Sequence, residues 1–157
     1  MKRLSNKEIK VVSYLELNNK RFFLRNDIKK FFNDKNQLNF FIHKLKIKNR
    51  IIKMNNDKYY LVPIKAYEGR WTEHPYIIID EIFNSGDYYI GGNSALNYYG
   101  IINQISNVID VYSKKKQGRR KILNINIKFH RVRKLNEYSH KKMNNHYFNI
   151  KNKNAIR

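Results

Sequence analysis

Residues 34–63 read "DKNQLNFFIHKLKIKNRIIKMNNDKYYLVP", and two periodicities follow one another within them. Leu38, Phe41, Ile42 and Leu45 recur at helical spacing, which predicts an amphipathic helix beginning near Asp34 to Asn36. Asn49 stands where a left-handed residue would end that helix. Two β-rich runs come next, "RIIKM" and "KYYLVP", separated by polar "NND". That pattern predicts a hairpin, with Pro63 as its stop.

Upstream, Ser5 and Glu8 form an S-x-x-E capping box ahead of an apolar stripe of Ile9, Val12 and Leu15, with Val11 and Leu17 nearby. Asn18-Asn19 should break this helix. "RFFLR", 21–25, reads as a short strand. Asn26 is the expected cap of a second helix turning Ile28, Phe31 and Phe32 inward. The order over residues 1–66 is helix, strand, helix, helix, hairpin, the arrangement of a winged helix-turn-helix. In such a domain the third helix fits a major groove and the hairpin reaches the backbone or minor groove.

The outward face of the third helix offers Asn36, Gln37, Phe40, His43, Lys44 and Lys48, with Lys35 at its start. Asn and Gln pair bidentately with adenine, and Lys meets guanine or phosphate. Arg25, and Lys53, Asn55, Asn56 and Lys58 around the hairpin tip, complete the expected DNA contacts of this domain.

Charge supports a polyanionic partner. Lys and Arg number 33 against 12 Asp and Glu, a net charge of +21. Codon bias can supply lysines, but it does not explain their distribution. Residues 1–66 carry 17 basic and 5 acidic residues, 67–113 carry 1 and 6, and 114–157 carry 15 and 1. This basic, acidic, basic layout points to two cationic surfaces. Cysteine is absent, so disulfides and thiolate metal sites are excluded. No apolar run approaches the ~20 residues that span a bilayer, and "MKRLSNKEIK" lacks a signal-peptide core. A cytoplasmic protein is expected.

Residues 67–157 should form a small mixed α/β domain after a connector, "IKAYEGRW", with Trp71 packing near the junction. "PYIIIDEIF" reads as a helix, and its adjacent Asp80 and Glu81 as solvated. "YYI" reads as a strand, Gly91-Gly92 as a turn, and Asn93 or Ser94 as the cap of a helix stopped by Gly100. "NVIDVYS", 107–113, alternates as a strand. "KKKQGRRK", 114–121, reads as a basic loop. Its Lys115, Arg119 and Arg120 are either a second phosphate contact or solvated. "ILNINIKFHRV" alternates with Ile122, Asn124, Asn126 and Lys128 on one face. The tail from Lys134 is polar, with a mobile end expected.

The glycine turn invites an enzymatic reading. Nucleotidyltransferases follow such a turn with a strand carrying two carboxylates that chelate two Mg²⁺ ions. Here that strand offers Asp110-Val111-Tyr112, with a phenol where the second carboxylate belongs. The chain is therefore expected not to be an enzyme. His74, His130, His140 and His146 have no ligand spacing, so no metal or cofactor is expected.

Three pieces together resemble the AbiEi-type antitoxins of type IV toxin–antitoxin systems, which are winged-helix transcriptional regulators. They are the first domain ending "KYYLVP", the stretch "DYYIGGNSALNYYGIINQISNVIDVYS", and "KILNINIKFHRV", spanning roughly residues 5–133. The chain departs from the family at Asn49, where glycine is usual. The resemblance implies an N-terminal domain that binds operator DNA and represses its own operon, and a C-terminal domain that opposes a nucleotidyltransferase toxin. The expected fold is thus α+β in two domains, 1–66 and 67–157. The expected partners are double-stranded DNA and a cognate nucleotidyltransferase toxin, with a homodimer among the arrangements allowed. A degenerate nucleotidyltransferase-like protein and an RNA-binding module are the alternatives. Exposed paired aromatics on a sheet, the mark of a common RNA-binding surface, are not evident in the sequence.

Overall fold

The computed structural model describes residues 3–63, 73–122 and 124–156. The connector "IKAYEGRW", Trp71 and the expected boundary at 66/67 lie outside them. The chain is α+β and divides into two compact units, Met1–Thr72 and Glu73–Arg157.

The first unit comprises α1 (Asn6–Leu17), β1 (Phe22–Leu24), α2 (Arg25–Lys29), α3 (Lys35–Ile47), β2 (Ile51–Lys53) and β3 (Lys58–Leu61). The capping box forms: Ser5 N–H donates to Glu8 Oε2 at 2.6 Å, and Glu8 N–H to Ser5 Oγ at 3.4 Å. Asn18 ends α1, and Asn19 turns the chain with φ +52°. The sheet runs β1-β3-β2, antiparallel, with Phe23 opposite Tyr59 and Ile51 opposite Leu61. Val11, Val12, Leu15, Phe23, Ile28, Leu38, Phe41, Ile42, Leu45, Ile51, Tyr59 and Leu61 fill one core. Each fully buried aliphatic side chain there is worth about 1.5–3 kcal/mol over exposure.

Three local expectations for this unit are corrected. Ile9 and Leu17 are exposed, because Val11, Val12 and Leu15 already cover the buried face of α1. Asn26 does not cap α2. The helix starts at Arg25, and Asp27 reaches back to accept Leu24 N–H at 2.7 Å while Lys20 Nζ holds its other oxygen at 2.5 Å. Phe31 and Phe32 lie beyond the end of α2 and are half-buried, packed edge-on to Tyr14 and tilted on Phe41.

The second unit comprises α4 (Pro75–Phe83), β4 (Tyr88–Gly91), α5 (Gly92–Tyr98), β5 (Val108–Ser113), β6 (Gly118–Ile122), β7 (Ile125–Arg131), β8 (Tyr138–Met143) and β9 (His146–Lys151). Pro75 takes the first position of α4, where its missing N–H costs nothing. The strands form one sheet ordered β6-β7-β5-β4-β9-β8. Its inner face is covered by α4 and α5. Phe83 stacks on Tyr88 and meets Phe129, while Tyr76 and Tyr98 both meet Phe148. Ile90, Val111, Ile127 and Ile150 complete this layer.

Here the corrections are larger. The polar tail is a structural hairpin. β9 lies beside β4 with Ile90 opposite Ile150, and Phe148 and Ile150 are fully buried. Past β9, Asn152 N–H donates to Glu137 O at 2.7 Å and a 3₁₀ turn spans Lys153–Ala155. Half of the basic loop is β6, an edge strand. Ile122 closes β6 and does not share a strand with Asn126 and Lys128, which lie on β7.

Candidate nucleic-acid interface

In the first unit the candidate site is one face of α3. Asp34 caps the helix by accepting the N–H groups of Asn36 and Gln37, both at 2.8 Å. Leu38, Phe41, Ile42 and Leu45 anchor the opposite face in the core. Lys35, Asn36, Gln37, Phe40, His43 and Lys44 are exposed. Phe40 is 59% exposed and Lys44 Nζ sits 4.4 Å from its ring centroid, a cation held over an aromatic one turn away. The arrangement offers amide groups, an apolar ring and a cation on one convex surface.

The structure separates other expected contacts from this face. Lys48 is not free to meet DNA. Its Nζ lies 2.5 Å from Glu8 Oε2 and 2.9 Å from Arg3 O. Burial alone would raise the Glu8 pKa, but the bonds from Lys48 and Ser5 override it and hold the carboxyl below its ordinary value. Arg25 is half-buried, with its guanidinium on Asn39 Oδ1 of α3. At the hairpin tip, Asn55 shapes the turn, accepting Lys58 N–H at 3.1 Å and Asp57 N–H at 3.3 Å. Lys53 and Asn56 are exposed beside it and Lys58 is half-buried.

In the second unit the glycine turn packs directly under β5. Gly92 has φ +55°, and a Cβ there would lie 2.9 Å from Asp110 Oδ2. A Cβ on Gly91 would lie 2.7 Å from Tyr112 Cε2. Gly91 is the N-cap position of α5, so neither Asn93 nor Ser94 caps it. Ser94 is buried, and its carbonyl accepts the Tyr76 hydroxyl at 3.0 Å.

The two residues above the turn are engaged elsewhere. Asp110 Oδ1 is 2.7 Å from His130 Nε2. Tyr112 stacks between Tyr89 (centroids 5.0 Å apart, planes at 8°) and His130 (4.7 Å, 15°). Tyr138 extends the stack beyond Tyr89 at 6.1 Å. Burial, then the charge of Asp110, raises the Tyr112 pKa, so the phenol stays neutral. Tyr112 is thus a stacking ring where a metal-binding strand would carry its second carboxylate. Among the described residues, no three or more His, Cys, Asp or Glu side chains gather as a metal site. Asp80 is buried, not solvated: it accepts the Tyr88 hydroxyl at 2.8 Å and the Ser85 hydroxyl at 2.9 Å.

The basic stretch does not form one patch. Lys115 lies in the turn before β6. Arg119 pairs in register with Lys128 and Arg120 with Ile127, so the two arginines leave opposite faces of the strand. Arg120 is half-buried, and burial lowers its pKa. His130 is the residue that sequence reasoning missed. It alternates with Asn126 and Lys128 along β7, but the Tyr112–His130 register joins strands that are not consecutive. Among the described residues, no helix is long and apolar enough to cross a membrane. No protein-family model matches the chain, and no curated protein is significantly similar to it.

Proposed function

We propose that the chain is a DNA-binding transcriptional regulator whose first unit is a winged helix. In this reading α3 enters the major groove and the β2–β3 hairpin is the wing. The observation that carries it is the exposed α3 face of Asn36, Gln37, Phe40, His43 and Lys44, set in the order helix, strand, helix, helix, hairpin. Asn36 and Gln37 have the geometry to read adenine, and Phe40 can lie against a thymine methyl. The sequence resemblance to AbiEi-type antitoxins extends the reading: repression of the chain's own operon, with the second unit opposing a nucleotidyltransferase toxin. A binding role is supported by what stands above the glycine turn: Tyr112 as a stacking ring, and Asp110 as a carboxylate held by His130.

The test is a gel-shift titration on the duplex upstream of the coding sequence and on a scrambled duplex. Gln37→Ala should cost about 1–3 kcal/mol on the specific duplex and little on the scrambled one. Equal affinity of wild type and variant for both duplexes would remove α3 from the interface.

A further inference from the structure

The outer face of the second unit's sheet carries an aromatic ladder that ends in a cationic groove. Tyr138, Tyr89, Tyr112 and His130 stack in succession across it. Tyr112 covers one face of the His130 imidazole. The other faces β6, because β7 lies between β5 and β6. On that side is a groove of about 370 Å³ lined by Gln117, Gly118, Arg119, Lys128, Phe129, His130 and Arg131.

The groove exists for a structural reason. The β6–β7 ladder begins at the pair Gly118–Phe129, while β7 continues through His130 and Arg131. The last two residues of β7 are therefore unflanked by β6. A Cβ at Gly118 would meet nothing within 4 Å.

The chemistry of the lining is specific. Arg119 and Lys128, an in-register pair on the His130 face of the sheet, bring two cations, and no carboxylate lines the groove; Arg131 alternates to the opposite face. Among the described residues neither of the two is ion-paired. Asp110, at 2.7 Å, fixes the His130 ring from its far edge. A ring already held on one face by Tyr112 and at its edge by Asp110 loses little freedom when a second ring lands on it. Gln117 adds an amide able to meet a base edge.

We propose that this groove binds an unpaired nucleotide of a single-stranded nucleic acid. Its base stacks on the open face of His130, and its phosphates lie against Arg119 and Lys128. Base–aromatic stacking beside a cationic track is the general means of holding single strands. A duplex cannot use this surface in the same way, since its bases are stacked on one another. The site is independent of α3, so its test and the duplex test succeed or fail separately.

Fluorescence anisotropy with the full chain decides it, using a labelled oligodeoxyadenylate of about ten nucleotides and an abasic strand of the same length and charge. The adenylate strand should bind about tenfold more tightly or better. His130→Ala should abolish that preference, and His130→Phe should keep it. Lys128→Gln with Arg119→Gln should lower the salt slope by about 0.7 per lost phosphate contact. Gln37→Ala should leave the preference unchanged. Equal binding of adenylate and abasic strands by the wild-type protein would overturn the proposal, whatever the variants do. So would a preference that survives His130→Ala. Competition by adenosine monophosphate as strong as by the strand would overturn the assignment to a strand.

Discussion

Each unit buries a carboxylate, and they neutralise it in different ways. In the first, Glu8 is matched by a cation, Lys48, with the Ser5 N–H as a further donor. In the second, Asp80 is matched by two neutral hydroxyls, those of Tyr88 and Ser85. The first unit thus uses part of its positive charge internally, in Lys48–Glu8 and Lys20–Asp27. The second also pairs Lys114 with Asp87 and Lys151 with Glu137, but leaves Arg119 and Lys128 without an acid in their groove. Formal charge sums treat all these cations alike. What reaches a polyanion depends on which of them the fold has already used.

The largest expected effect breaks the first of these arrangements. Lys48→Ala leaves the Glu8 carboxylate, only 3% exposed, without its counter-charge. Removing one partner of a buried pair costs about 3–5 kcal/mol, and urea unfolding should show this loss in the first unit. The pH dependence carries its own sign. Burial would raise Glu8, yet Lys48 and Ser5 hold it low, so its folded pKa lies below the unfolded value of about 4.3. Its stabilisation is present above that value and is lost as pH falls through the folded pKa. In Lys48→Ala burial dominates, so the gap between wild type and variant should narrow below about pH 4. A gap that stays constant on acidification would show that the ion pair is not its source.

The neutral arrangement should respond differently. Tyr88→Phe removes a donor from Asp80 and an acceptor from Asn149 N–H, 3.2 Å away, at a cost of roughly 1–3 kcal/mol. Burial, then Asp80, pushes the Tyr88 hydroxyl far above its usual range. A raised pKa means stability that is present below the unfolded value, about 10, and lost as pH rises beyond it. The variant should therefore lose stability less steeply in alkali. Thermal melts at pH 8 and about pH 10.5 would show it. Parallel losses in the two proteins would mean that Tyr88 ionises no less easily folded than unfolded.

A smaller effect separates two kinds of glycine. Gly92 and Gly100 both have positive φ, +55° and +67°. A methyl on Gly92 meets Asp110, whose carboxylate is held by His130; one on Gly100 meets open space. Gly92→Ala should cost clearly more than the ~1 kcal/mol of backbone strain expected for Gly100→Ala. Equal losses in thermal melts would mean that Asp110 yields freely.

These contrasts also mark what the sequence made legible. α3 was readable because cap, stripe and stop all lie within fifteen or so residues of one another. The β8–β9 hairpin was not. Its turn, Asn144-Asn145, has φ +48° and +65°, the left-handed pair a two-residue hairpin turn needs. In a tail rich in asparagine that signal does not stand out, and β8 is a polar edge strand without a fully buried residue. The groove at His130 was invisible for another reason. It depends on which strands lie side by side, a property of the whole sheet.

The smallest effect is expected one helical turn from the largest. Lys44 and Lys48 carry the same charge, four residues apart on or just past α3. Lys48 is bound to Glu8 and Arg3, whereas Lys44 lies over an exposed ring. Lys44→Ala should therefore leave urea unfolding nearly unchanged, because an exposed cation contributes little to stability. If Lys44 meets phosphate, the variant should weaken binding to specific and scrambled duplexes alike and lower the salt slope by about 0.9. Lys48→Ala should do the reverse at a temperature where the first unit remains folded, with stability lowered and the slope kept. An unchanged slope for Lys44→Ala alongside a lowered one for Lys48→Ala would exchange their roles, and the α3 face would have to be redrawn around Lys48.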